Sequence, residues 1–238
     1  MTNITVGLGE NKNILKACEA FERENKDVEI TLVDNDDELV NAILDDDVDA
    51  VIRGSLPASS VMKELKNKFN DISRATYING NDIEFLLTPV GIDEGRTVDD
   101  KLKIAIHCGE FLKKQSKKPK IAVMACGRKG DYGRSDEISK SIDESEKLTE
   151  LIRENTDFEV VNHYILIEQA IKDNCNVIIA PDGIIGNIIF RTLVLVNSWP
   201  SCGAVTFGIN SVYIDTSRDQ NVDGYLRSLK LAYNLANI

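Results

Sequence analysis

The chain has 238 residues, of which 42% are hydrophobic and 28% are charged, and its formal charge at pH 7 is −11. This composition is typical of a chain with a packed core, so it excludes disorder as the main state. The acidic balance argues against a general nucleic-acid binder and against an anionic membrane surface as a partner, since binding to either needs basic residues.

Cysteine and histidine usage gives no sign of a metal site or a disulfide scaffold. The five cysteines lie far apart with no CxxC pair, and there are only two histidines. Residues 1–10 lack the features of a secretion signal, and the apolar segment 184–196 is too short to span a bilayer. We therefore expect a cytoplasmic protein that requires neither a metal nor a redox cofactor.

The first third of the chain alternates short β-branched segments with longer amphipathic ones. Apolar residues that recur three or four positions apart indicate one face of a helix, while short β-branched segments indicate strands. The predicted elements are strand 4–8, helix 13–24, strand 28–33, helix 38–44, strand 49–53 and helix 58–69. This alternation is typical of a parallel sheet covered by helices on both faces.

The rest of the chain continues the pattern less regularly. Two strands are joined by the turn Asn79-Gly80-Asn81-Asp82, which is a hairpin signal, and the segment 184–196 predicts a buried helix. The other elements are strands 75–78, 83–88, 120–125, 158–161, 177–180, 204–207 and 211–214, and helices beginning near 98, 135, 165 and 222. No linker-like segment is present, so we expect domain boundaries in ordinary loops near 70–75 and 207–211.

Four polar clusters follow predicted strands, at the strand ends where open α/β sheets bind their ligands. Further arginines lie in nearby loops, and a guanidinium group matches phosphate or carboxylate. In an acidic chain this concentration of basic residues predicts a local anion site. The candidates are Arg53, Gly54, Ser55, Arg74, Arg96, Gly127, Arg128, Lys129, Gly130, Arg134, Asp182, Asn187, Thr216, Ser217 and Arg218.

Each cluster also has an ordinary structural explanation. The glycine loop 127–134 matches no phosphate-binding fingerprint, so a solvated turn explains it as well, and turn chemistry explains Gly7-Leu8-Gly9. Ser217 has no GxSxG motif, which leaves a turn or cap role open, and Asn187 is also explained as a partner for buried backbone. His107 is expected in the core and His163 at the surface.

Four segments of the chain are similar to segments of one known protein family and follow one another in the same order. Residues 176–193 (NVIIAPDGIIGNIIFRTL) form a strand, a Pro-Asp pair and a Gly-Asn pair before a helix. Residues 203–208 and 212–218 supply a late strand and a Ser-Arg motif, and 49–57 carries Arg53 where lysine is usual. These segments resemble the phosphate acetyl- and butyryltransferases and the PlsX acyl-phosphate synthases.

The resemblance implies two α/β domains with mainly parallel sheets and a cleft between them, as in the isocitrate and isopropylmalate dehydrogenases. The first domain would comprise residues 1–74 and 208–238, and the second residues 75–207. It further implies that Ser217, Arg218, Arg53 and Arg74 hold a phosphate-bearing or coenzyme A-like substrate, and that the protein forms a homodimer. The aspartate that assists the thiol in that family aligns loosely with Asp223.

The loop Gly127-Arg-Lys-Gly-Asp-Tyr-Gly-Arg134, in a short acidic chain, looks like that of the MtxX proteins of methanogens, described as methyltransferase subunits. Three functions follow. The leading one is a transferase of the phosphate acyltransferase type. The second is a methyltransferase, or a subunit working with other methyltransferase subunits on a pterin or corrinoid carrier, although no glycine loop followed by an acidic ribose ligand stands out. The third is a non-catalytic anion-binding protein.

Overall fold

The computed structural model of the protein describes residues 1–57, 59–69, 71–80 and 83–238. The predicted turn residues Asn81 and Asp82, and Ala58 at the predicted start of a helix, lie outside the described residues. The described residues form ten strands: β1 (Thr2–Gly7), β2 (Val28–Val33), β3 (Ala50–Ile52), β4 (Ser73–Gly80), β5 (Ile83–Thr88), β6 (Lys120–Met124), β7 (Glu159–Tyr164), β8 (Val177–Ile179), β9 (Ser201–Phe207) and β10 (Val212–Asp215).

Eight α-helices connect or flank these strands in the described residues. They are α1 (Asn13–Glu24), α2 (Asp36–Ile43), α3 (Ser59–Lys68), α4 (Val98–Lys114), α5 (Asp136–Asn155), α6 (Ile167–Lys172), α7 (Gly183–Phe190) and α8 (Val222–Ala236). Side chains cap several of them: Ser135 accepts the Ile138 N–H at 3.2 Å at the start of α5, and Thr97 forms a reciprocal capping box with Asp100 at the start of α4.

The chain divides into two compact units, the first comprising Met1–Ile72 and Pro200–Ile238. Its strand order is β2-β1-β3-β10-β9, and all neighbours are parallel except β9 and β10. Helices α1 and α8 pack together, and α2 and α3 pack together over a core that includes Val51, Leu65 and Tyr213. The parallel order places the carboxyl ends of β1, β3 and β10 at one edge of the sheet.

The second unit is Ser73–Trp199, with strand order β4-β5-β8-β6-β7. Strands β4 and β5 form an antiparallel hairpin, and the other neighbours are parallel. Strand β9 belongs to the first unit, whereas the sequence placed residues 204–207 in the second domain. The reason is its antiparallel pairing with β10, in which Val205 lies opposite Ile214.

Two sequence-based expectations about burial are wrong. Segment 184–196 forms only part of a helix, α7, which continues as a π-helix over Arg191–Val196. One face packs on the core of the second unit, but Ile184, Ile188 and Val196 are 57%, 59% and 81% exposed. His163 is buried on β7, where its Nε2 lies 2.9 Å from a carboxylate oxygen of Asp173.

Candidate functional site

A pocket of about 950 Å³ lies at the carboxyl-terminal edge of the sheet in the first unit. The strand order there, β2-β1-β3, changes direction between β1 and β3, and such switch points are where open α/β sheets bind ligands. The loops after β1, β2, β3 and β10 supply its walls. The lining residues are Gly9, Glu10, Asn11, Lys12, Asp34, Ser55, Leu56, Pro57, Arg218 and Asp219.

The loops after β1 and β3 are packed backbone to backbone. Gly54 has a φ of +62°, and a Cβ atom at this position would collide with the carbonyl oxygen of Gly7. A Cβ atom on Gly9 would collide in the same way with the carbonyl of Ser55, whose Oγ accepts the Gly9 N–H at 2.8 Å. Gly54 and the buried Ser55 therefore shape the pocket wall, and Ser55 reaches the pocket with its hydroxyl already engaged.

Arg53 joins the loops after β3 and β10 from inside the unit. It is only 6% exposed, and its Nε forms an ion pair with Asp215. Its Nη1 donates to the carbonyl of Leu56 at 2.6 Å and its Nη2 donates to the carbonyl of Thr216. Because all three guanidinium nitrogens are engaged in this way, the geometry favours Arg53 as a clamp, meaning a side chain that holds the two loops together, over the predicted contact with substrate.

The Ser217-Arg218 pair lies on the loop after β10, and this loop is fixed through its backbone. The hydroxyl of Tyr225 donates to the carbonyls of Ser217 at 3.3 Å and Arg218 at 3.0 Å, and burial raises the pKa of that hydroxyl to about 12. Asn11 donates to the same Arg218 carbonyl at 2.8 Å. Both donors bind the main chain of this loop rather than the Arg218 side chain, which therefore extends from a backbone that is held in place.

The Arg218 side chain lines the pocket and is exposed, and it makes no hydrogen bond or ion pair with the part of the chain that the structure describes. Ser217 does not line the pocket, and its Oγ accepts the Asp219 N–H at 3.4 Å. Asp223 is exposed in the first turn of α8 and is likewise outside the lining set. Asp219, directly after Arg218, is the aspartate of this segment that does line the pocket.

Sequence reasoning missed the side chains that the loops after β1 and β2 contribute. Lys12 lines the pocket, and its Nζ donates to the carbonyl of Gly9 at 3.0 Å. Asp34 and Glu10 line it too, so the pocket carries two cationic and three carboxylate side chains. The signal available in the sequence is position, because Asp34 comes directly after the predicted strand 28–33.

The candidates of the second unit are mostly engaged within that unit. Arg74 lies on β4, and its Nε and Nη2 donate to the Glu94 carboxylate at 2.9 and 2.6 Å, with side chains 14% and 9% exposed. Asp182 caps α7 by accepting the Ile185 N–H at 2.8 Å, and Asn187 donates to the carbonyl of Val90 at 2.9 Å. These residues stabilise the local fold of the unit.

The glycine loop 127–134 is mostly exposed, although Gly127 is buried, and it contains an internal ion pair. It contains a 3₁₀ turn, Lys129–Asp131, and Arg134 lies 2.8 Å from the Asp131 carboxylate. The Arg128 N–H and the Arg134 guanidinium both hold the pKa of Asp131 below its usual value. Lys129 approaches Glu146 at 3.8 Å, while the side chain of Arg128 and the backbone of Gly130 are open to solvent.

Among the described residues, no group of three or more His, Cys, Asp or Glu side chains is placed to hold a metal ion. The helices in that part of the chain are each too short or too polar to cross a membrane.

Comparison with known proteins places the chain in a family. No family model matches it. An uncharacterized methyltransferase of Methanocaldococcus jannaschii is 39% identical over 235 residues, which span 94% of each chain. A protein of Methanosarcina barkeri named as subunit X of an mtx methyltransferase is 35% identical over 219 residues, or 88% of this chain and 78% of that one. The chain belongs to the MtxX family of methanogen proteins.

Solved structures show the fold that the MtxX chain shares with other proteins. A branched-chain phosphotransacylase of Enterococcus faecalis matches with a TM-score of 0.76 and 15% identity over 99% of both chains. A phosphotransacetylase of Streptococcus pyogenes matches with a TM-score of 0.70 and 15% identity, over 99% of this chain and 93% of that one. A 4-hydroxythreonine-4-phosphate dehydrogenase of Klebsiella pneumoniae matches with a TM-score of 0.66 and 11% identity, over 99% of this chain and 100% of that one. At these identities the likeness confirms the predicted fold class and nothing finer.

Proposed function

We propose that this MtxX protein is a group transferase that binds the phosphate or other anionic group of its substrate in the pocket of the first unit, in contact with Arg218. A transferase of some kind is supported by names from two independent comparisons: the relatives are called methyltransferases, and two structural neighbours are called phosphotransacylase and phosphotransacetylase. The observation that carries the proposal is an exposed guanidinium on a fixed loop at the switch point of the sheet.

The geometry of the pocket suggests what each side chain does. A guanidinium can bind two phosphate oxygens at once and can stabilise negative charge as it develops in a transition state. Lys12 adds a second cation to the same pocket. Asp219 lines the pocket, which makes it better placed than Asp223 to accept a proton.

In the acyl-transfer form of the proposal, a thiol sulfur attacks the carbonyl carbon of an acyl phosphate. The carbon–oxygen bond to phosphate breaks, the thiol proton passes to a carboxylate such as Asp219, and phosphate leaves against Arg218. Ser217 lies outside the pocket lining and accepts the Asp219 N–H, so this step is assigned to its neighbours Arg218 and Asp219. The sequence resemblance to the phosphate acetyl- and butyryltransferases implies coenzyme A as the thiol substrate, and this step uses no resident cofactor.

Methyl transfer is the second candidate, favoured by the names of the relatives. One relative is also named as a subunit, which suggests protein partners, and the exposed Ile184, Ile188 and Val196 offer a surface for a partner subunit or a second copy. The homodimer stays a prediction.

Binding and turnover can be tested together. Inorganic phosphate, acetyl phosphate, coenzyme A, a pterin and a corrinoid are compared by thermal unfolding, since a ligand at 100 times its Kd stabilises the fold by about 2.7 kcal/mol. We expect the stabilisation by phosphate-bearing ligands in the native chain and in Arg23→Ala, a control that removes an exposed guanidinium of α1, but not in Arg218→Ala.

Turnover then separates the candidates. Acyl transfer from acetyl phosphate to coenzyme A supports the acyltransferase form, methyl transfer with a pterin or corrinoid supports the second candidate, and anion binding without turnover supports a non-catalytic protein. Unchanged ligand binding by Arg218→Ala contradicts the proposal itself.

A further inference from the structure

We infer that the pocket of the first unit recognises the ribose of a ribonucleoside substrate, with Asp34 accepting hydrogen bonds from free 2′- and 3′-hydroxyl groups. The inference rests on the proposed function, because it assigns the ribose to the same pocket in which Arg218 binds the anionic group. It narrows the substrate to a ribonucleoside that also carries a phosphate or another charged group.

The position of Asp34 is the first support. Strand β2 pairs in parallel with β1 up to Val33, opposite Gly7, and the Leu8 N–H donates to the Val33 carbonyl at 2.7 Å. Neighbouring strands lie about 4.8 Å apart, so Asp34, the next residue, lies beside the loop that carries Gly9. In α/β nucleotide-binding folds an acidic residue after the second strand, beside a glycine loop after the first, binds the ribose hydroxyls.

The state of the Asp34 carboxylate is the second support. It is exposed at the pocket, and it accepts a hydrogen bond from Asn35 Nδ2 at 3.3 Å. It has no ion pair with any described residue. A carboxylate has about four acceptor sites, so both oxygens can accept from the two hydroxyls of a vicinal diol.

A divalent cation is the main alternative occupant for a carboxylate in such a pocket. Glu10, Asp34 and Asp219 all line it, yet among the described residues they do not come together as a group able to hold a metal. A neutral diol needs one carboxylate, whereas a cation needs several converging oxygens. The arrangement therefore favours the sugar.

The glycine loop also shows how this pocket differs from a standard dinucleotide site. Gly7-Leu8-Gly9 is followed by Lys12 where the third glycine of the fingerprint falls, and the Gly9 N–H is engaged by Ser55. Contacts to the charged group would therefore come from the side chains of Lys12 and Arg218. A ribose that carries a 3′-phosphate, as in coenzyme A, cannot offer the free diol. The inference therefore favours ligands such as S-adenosylmethionine or nucleoside diphosphates, and it excludes the acyl-transfer form of the proposed function that places coenzyme A in this pocket.

The test compares paired ligands by titration calorimetry on the full chain. The probes are the 5′-diphosphates of adenosine, guanosine, cytidine and uridine, each with its 2′-deoxy counterpart, together with S-adenosylmethionine, coenzyme A and inorganic phosphate. We expect at least one ribonucleotide to bind about tenfold or more tightly than its deoxy counterpart, as for loss of a charged hydrogen bond. Asp34→Asn should reduce that ratio to about twofold or less, and Asp37→Asn, a charge-matched control in the first turn of α2, should preserve it.

The outcomes separate the two proposals. Equal affinity for ribo- and deoxynucleotides, or a ratio preserved in Asp34→Asn, overturns the diol inference. Binding of inorganic phosphate or coenzyme A with no nucleotide binding overturns it as well and leaves the proposed function standing. If the ratio of ribo- to deoxynucleotide affinity depends on Asp34 but Arg218→Ala leaves nucleotide affinity unchanged, the result supports recognition of the diol. The same result overturns the proposed contact between Arg218 and the anionic group.

Discussion

Replacing Arg53 by methionine should unfold the first unit far more easily, because the guanidinium holds two loops together from a buried position. The change removes the donor to Asp215, whose side chain is 11% exposed, and the donors to the carbonyls of Leu56 and Thr216. Removing one partner of a buried ion pair costs about 3–5 kcal/mol. That is a large part of the roughly 5–15 kcal/mol by which a typical protein is stable.

Urea denaturation followed by circular dichroism measures this loss as a free energy of unfolding. In thermal unfolding it corresponds to a fall in Tm of about 10 °C for a chain of this size. The double variant Arg53→Met with Asp215→Leu should recover part of the stability, because a buried pair replaced by apolar groups costs less than a pair broken on one side. A loss below about 1 kcal/mol in Arg53→Met would refute the clamp.

Two further results are expected. Gly54→Ala should lower the free energy of unfolding by about 2 kcal/mol or more, because Gly54 has a positive φ and the new Cβ atom would collide with Gly7. The control Gly130→Ala should change that free energy by less than about 0.5 kcal/mol, because nothing lies within 4 Å of a Cβ atom placed there. Equal effects of the two substitutions would contradict the close packing of the loops after β1 and β3. Three cysteines should react slowly with a thiol-labelling reagent at pH 8 in the folded chain and fast in urea, because burial raises their pKa values and keeps the thiols neutral. Fast labelling of these cysteines in the folded chain would contradict their burial. These are Cys18, raised to about 12, Cys175, raised to about 11, and Cys108.

Much of the fold follows from local pattern. Helix α1 begins and ends where the spacing of Ile14, Cys18 and Phe21 predicts, and α4 begins at Val98, where the sequence predicts a helix start. Segment 184–196 was harder, because an apolar run shows neither which face packs nor that a π-helix follows α7. His163 was placed wrongly because a single histidine in a short strand carries no periodicity that indicates its face.

The candidate site shows the same limit more clearly. The sequence indicates which loops follow strands, and so it found Arg218 and Ser55 on the pocket loops. It could not show that Arg53 points inward to Asp215, because that depends on contacts 162 residues apart in the chain. Asp34 does not stand out in the sequence, because it precedes an acidic helix start that is typical of solvated surface.

We expect the anion to bind at Arg218 in the first unit rather than at the basic loop 127–134. The most direct measurement is titration calorimetry of acetyl phosphate and inorganic phosphate into the native chain, Arg218→Ala and Arg128→Ala, which each remove one exposed guanidinium. Arg218→Ala should weaken binding about tenfold or more, as for loss of a charged hydrogen bond, and Arg128→Ala should change it by less than about twofold. Binding lost in Arg128→Ala and retained in Arg218→Ala would contradict it.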